Sequence, residues 1–178
     1  MNETIRTERY SAVARLLHWS VVGLVAVQFA IAWTMPDIGR GTEPVGLIAW
    51  HLSFGVAILA VMLVRALWRL SRREPPPPVA LPASLRIVSR VTHVLLYALL
   101  VALPLLGWAN ASARGWPVTL FGILPLPPLS ATGSPLGRQL GDVHQAVAIG
   151  LLVVIGLHVL GALYHGVIVR DRTLQRML

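Results

Sequence analysis

Four apolar stretches set the plan of this chain, each long enough as a helix to cross a hydrocarbon layer. They run from Leu16 to Met35, Val45 to Val64, Val91 to Ala109 and Asp142 to Arg170. Twenty helical residues span ~30 Å, which is enough to cross the apolar part of a bilayer. With their flanking turns, the runs predict helices over residues 12–35, 45–70, 84–109 and 142–169. Pro36-Asp37 stops the first. Arg72, Arg73 and the tract Pro75 to Pro78 close the second, because proline cannot continue a helix. Pro104 removes a backbone donor from the third and should kink it. Residues 110–141 form the longest connection, rich in Gly and Pro and apolar for a loop, so they are expected to lie on the membrane surface. The expected fold is an all-α membrane protein, a four-transmembrane-helix bundle, with residues 1–178 as a single domain.

The polar exceptions inside these runs are mostly histidines: His18 in the first, His51 in the second, His93 in the third, and His144, His158 and His165 in the fourth. His144 and His158 are 14 residues apart, close to four turns. Their rings therefore leave one face about 21 Å apart along the axis. His165 follows on that face. Polar groups at membrane depth are costly and are usually kept for a function. Two axial imidazoles supplied by facing helices would hold a b haem, so this face is read as carrying two metal cofactors stacked across the membrane.

Composition narrows the chemistry. The chain is 56% hydrophobic and 12% charged, with a mean hydropathy of +0.71; a soluble domain carries about 25% charged residues. All fifteen basic residues are arginine, and the net charge is +8. The arginines sit between apolar runs rather than on one amphipathic face, so they speak for topology and a lipid bilayer, not for nucleic acid. There is no cysteine, which excludes disulfides, iron–sulfur clusters, thiolate-ligated haem and covalent C-x-x-C-H attachment. The first apolar run is too long for a signal-peptide core, and no small-residue cleavage site clearly follows.

The N-terminal segment, residues 65–90 and the C-terminus hold three, six and three arginines, whereas the two other loops hold Arg40, Arg114 and Arg138. The positive-inside rule places both termini in the cytoplasm. Depth then follows for each histidine. His51 and His144 share the outer level without competition, while on the inner level His158 can pair with His18 or with His93. A lone histidine near a helix end is more often interfacial, and glycines such as Gly23, Gly55, Gly150, Gly156 and Gly161 more often serve helix packing than a flat macrocycle. Two level-matched pairs are harder to explain that way. Zinc or non-haem iron fits less well, since no carboxylate shares the membrane interior with these rings.

The segments RYSAVARLLHW, WHLSFG, HVLLYALLVALPLLGW and DVHQ, together with the stretch from GLH to RDRTLQRM, resemble the bacterial di-haem cytochrome b561 proteins over nearly the whole chain. These are inner-membrane cytochromes, and one type is a superoxide oxidase that reduces ubiquinone. The resemblance implies two b haems per chain. It implies His18 and His158 as axial ligands of the inner haem and His51 and His144 as those of the outer. His93 and His165 match family histidines that are not axial ligands, with His165 near the quinone pocket. Some members have a His-His pair where this chain has His165-Gly166.

The expected function is one-electron transfer from superoxide, or from a redox-protein donor, through two haems to ubiquinone. Arg40, Arg114 and Arg138 are available to attract an anion, although bordering the membrane explains them more simply. His165 is suited to supply a proton to quinone. The alternative is a cytochrome b membrane anchor and electron relay for a partner dehydrogenase or hydrogenase. A transporter finds no internal repeat and no intramembrane carboxylate. Self-assembly into a homo-oligomer stays open.

Overall fold

The computed structural model describes residues 9–39, 41–72, 82–171 and 173–178. The proline tract at 75–78 and Arg40 lie outside the described residues. Four long helices carry the chain back and forth: α1 Ala12–Thr34, α2 Leu47–Ser71, α3 Ala83–Ala113 and α4 Pro135–Tyr164. All four are long and apolar enough to cross a membrane. A small antiparallel hairpin, β1 Val118–Leu120 with β2 Leu124–Leu126, lies between α3 and α4. After α4 the chain makes a π turn at His165–Val169 and a single 3-10 turn at Leu174–Arg176.

Two helix ends differ from those read from hydropathy. α3 continues to Ala113 rather than 109, and α4 begins at Pro135 rather than 142. Hydropathy marks only the part of a helix that needs lipid, whereas capping sets where it starts. Ser134 accepts a hydrogen bond from Gly137 N at 3.2 Å, and Pro135 fills the first turn, where its missing N–H costs nothing. The 110–141 connection is accordingly shorter than expected and is structured at its centre.

α1 packs on α2, α2 on α3 and, most extensively, α3 on α4, while α1 and α4 stand further apart. The tight α3–α4 contact depends on small residues. A Cβ at position 137 would lie 2.5 Å from both Ala113 Cβ and Ser130 Oγ, and one at 141 would lie 2.8 Å from Asn110 Nδ2. Asn110 uses that closeness to donate to the carbonyls of Gly137 and Arg138 at 3.1 and 3.0 Å. At mid-depth Val21, Ile58, Met62, Leu100, Leu103 and Leu151 form the buried core. Leu67, Leu70, Ile149 and Val153 point outward, as apolar side chains do when the surrounding solvent is hydrocarbon.

The two ends of the bundle are built differently. At one end Tyr10 N donates to Arg176 O at 3.2 Å, Trp19 Nε1 donates to Met177 O at 2.9 Å and Arg15 donates to Leu178 O. The start of the described N-terminal segment and the C-terminal residues therefore meet there, on what we call the terminal side. On the opposite, hairpin side, Ser53 Oγ donates to Thr119 O at 3.0 Å and accepts from Phe121 N at 3.2 Å. That pins the hairpin over the start of α2. Phe121 packs against Phe54 and Trp50 with ring centres 5.4 and 5.8 Å apart.

Candidate functional site

The sequence puts histidines on α1, α2 and α4 at two depths, and the fold brings them together across the bundle. On the hairpin side the His51 and His144 ring centres are 6.1 Å apart. On the terminal side those of His18 and His158 are 6.3 Å apart. An imidazole nitrogen binds a first-row metal at about 2.0 Å, and its ring centre lies about 1.1 Å further back. Two rings trans across one metal ion thus have centres about 6.2 Å apart. Both pairs fit that span. Leu151 lies seven residues from His144 and from His158, and with Met62 and Ile58 it fills the layer between the two levels.

His93 is also on the terminal side, with its ring centre 5.1 Å from that of His158, too short for a trans pair. Its Nδ1 is 2.7 Å from Ser89 O. A carbonyl only accepts, so Nδ1 carries the proton and donates. Arg65 closes the same level, donating to Ala14 O at 3.1 Å with its guanidinium 5.9 Å from the Tyr97 ring centre.

The hairpin-side pair opens into a cavity of about 720 Å³, measured out to its mouth and lined among others by Gln28, Gly55, Leu103, Gly107 and Val118. His144 is set for ligation, because its Nδ1 donates to Leu103 O at 2.9 Å and its Nε2 lone pair is left free. Gly107 makes room for that ring; a Cβ there would come within 3.2 Å of His144 Cε1. Gln28, half-buried in α1, reaches across to α2 and donates to His51 O at 3.0 Å. The donor set and the ring separations fit a flat macrocycle held between two imidazoles. Gly55 lines this cavity, whereas Gly23, Gly150, Gly156 and Gly161 face open space.

His165 sits apart from both pairs, beyond the terminal-side level. The π turn that follows α4 folds the chain back so that His165 Nδ1 donates to Asp171 Oδ2 at 2.6 Å. The Asp171 side chain is only 2% exposed, and its Oδ1 accepts from Thr173 N at 2.9 Å. Burial alone would raise its pKa; the hydrogen bonds from Thr173 and His165 outweigh that and hold it below the ordinary carboxylate value. Of the loop arginines, Arg114 donates to Asn110 Oδ1 at 3.2 Å and lies 5.3 Å from the Trp116 ring centre, while Arg138 donates to Gly133 O.

Reading residues alone missed Gln28 and Asp171. Gln28 was visible as a polar interruption of the first apolar run. Asp171 was masked by the arginines around it, and only the π turn reveals its partner.

Four membrane-length helices set facing histidines at two depths inside the bundle. A model of the prokaryotic cytochrome b561 family matches residues 9–178. A probable superoxide oxidase of Yersinia pestis is 36% identical over 177 residues, covering 96% of each chain. Cytochrome b561 homolog 2 of Escherichia coli (strain K12) is 28% identical over 185 residues, covering all of this chain and 95% of the relative. Cytochrome b561 homolog 1 of the same organism is 27% identical over 176 residues, with 96% and 97% covered. The chain belongs to the prokaryotic cytochrome b561 family, and so is a multi-pass inner-membrane electron-transfer protein of the b-haem type.

Proposed function

We propose that the chain is a di-haem cytochrome that oxidises superoxide on the hairpin side, facing the periplasm, and reduces ubiquinone on the terminal side, facing the cytoplasm. The observation that carries this is the pair of ring separations, 6.1 and 6.3 Å, at two depths on one helix. His51 and His144 would hold one b haem, and His18 and His158 the other. When bound, such haems supply reversible one-electron chemistry. Overall, two superoxide ions each give up one electron and become dioxygen; one quinone takes both electrons and two protons and becomes quinol.

The chain's own residues divide this work. The core around Leu151 and Met62 excludes water between the two levels. The hairpin, pinned by Ser53, covers the periplasmic side. His165, held by Asp171 in the tautomer that leaves Nε2 outward, is placed to pass protons to quinone from the cytoplasm. The arginine distribution supports this orientation, and the printed name of the Yersinia pestis relative supports the donor.

Superoxide generated beside the purified, haem-loaded chain in lipid discs should drive ubiquinone reduction, and superoxide dismutase should abolish it. No reduction, together with copurification of a soluble dehydrogenase, would replace this reading with that of an electron relay.

A further inference from the structure

The hairpin-side pair is asymmetric in a way that singles out Gln28. His144 has a fixed partner, the Leu103 carbonyl at 2.9 Å. His51 does not: its Nδ1 is buried and makes no hydrogen bond. The other buried orphan at this level among the described residues is Gln28 Oε1. One is a ring nitrogen that must donate when Nε2 binds a metal; the other is a carbonyl oxygen that can only accept.

Gln28 is already committed to this corner. Its amide nitrogen donates to His51 O at 3.0 Å and lies 3.3 Å from His51 Nε2. The amide sits over the His51–Gly55 turn, where a Cβ at position 55 would approach Gln28 Nε2 to 3.7 Å. A carboxamide in the middle of a membrane helix is costly to keep with its oxygen unpaired. The contact at Nε2 is also one that a metal ion would displace.

We infer that Gln28 is the positioning residue of the periplasmic haem. With Nε2 on the iron, its carboxamide oxygen accepts the His51 Nδ1 proton while its nitrogen keeps the His51 carbonyl. One side chain thus does for His51 what the Leu103 carbonyl does for His144. This rests on the di-haem reading above. An acceptor on Nδ1–H makes an imidazole ligand more basic, which favours ferric over ferrous iron and lowers the midpoint potential of that haem.

The test uses the full chain loaded with haem, comparing wild type with Gln28→Leu and Gln28→Glu by haem content, redox titration and low-temperature EPR. Gln28→Leu should raise the midpoint of one haem, change its low-spin signal and weaken its retention about 10-fold, leaving the other haem unchanged. Gln28→Glu keeps an acceptor and should restore retention with a midpoint at or below that of wild type. A Gln28→Leu protein with both midpoints and both signals as in wild type would overturn the inference, and a loss of thermal stability alone would show a helix-packing role. If Gln28→Leu does not accumulate, a Gln28→Glu midpoint above that of wild type overturns it. Wild-type protein without haem would sink the di-haem reading itself, an outcome visible before any variant is made.

Discussion

The two histidine levels look alike in ring separation and differ in almost everything around them. The hairpin-side level is anchored on every side by named contacts. His144 is tied to α3 through Leu103, Gly107 gives its ring room, Gln28 ties α1 to α2 beside His51, and the hairpin covers the cavity. The terminal-side level is open and crowded. Three histidines converge there, Arg65 stands beside them, and neither His18 nor His158 makes a hydrogen bond among the described residues. One level is preorganised by neutral groups within the bundle. The other lies near charge and near the chain ends, where protons have access. That division is what the proposed route, electrons in at one face and quinol made at the other, calls for.

Breaking either pair should have the largest effect. His144→Ala should leave one haem per chain instead of two, and so should His158→Ala, whereas His93→Ala should keep both; pyridine haemochrome quantification distinguishes these outcomes. Loss of a haem in His93→Ala with retention in His18→Ala would reverse the terminal-side assignment. Next in size is Gly107→Val, whose side chain meets the His144 ring and should weaken haem retention at the hairpin-side level about 10-fold while sparing the other level. Gly137→Ala tests the α3–α4 contact rather than either site. Its Cβ would sit 2.5 Å from two neighbours, and thermal denaturation should show a loss of about 1–3 kcal/mol. Ser53→Ala removes both hydrogen bonds that hold the hairpin. It should cost about 1–3 kcal/mol and raise hydrogen exchange at Thr119 and Phe121.

The smallest effect concerns pH at the terminal side. Asp171 has its pKa held below 3.8 in the folded chain. The stability it contributes is present above the ordinary carboxylate value and lost as pH falls through the lowered one. Asp171→Asn should flatten this acid dependence of the melting temperature. A wild-type profile identical to that of Asp171→Asn would mean that Asp171 does not hold its contacts with Thr173 and His165.

The helices and the facing of His51 and His144 were legible because both follow from simple periodicities. Apolar length marks a span, and His144 and His158 fall 14 residues apart on one helix. On the terminal side, depth alone leaves His18 and His93 equivalent; the family resemblance implied His18, and the ring centres of His18 and His93 lie 6.3 and 5.1 Å from that of His158. The start of α4 was missed because Ser134 and Pro135 set it outside the apolar run. Gln28 and Asp171 escaped for a related reason. Their roles lie in contacts with His51 and with a π turn, which no spacing along the chain encodes.

The central claim is that two histidine pairs each hold an iron across the bundle. Purified chain measured for haem against protein, with EPR of the oxidised form, tests it most directly. The account predicts two b haems per chain and two bis-histidine low-spin ferric signals. One haem, none, or a high-spin signal from a haem with a single axial histidine would contradict it.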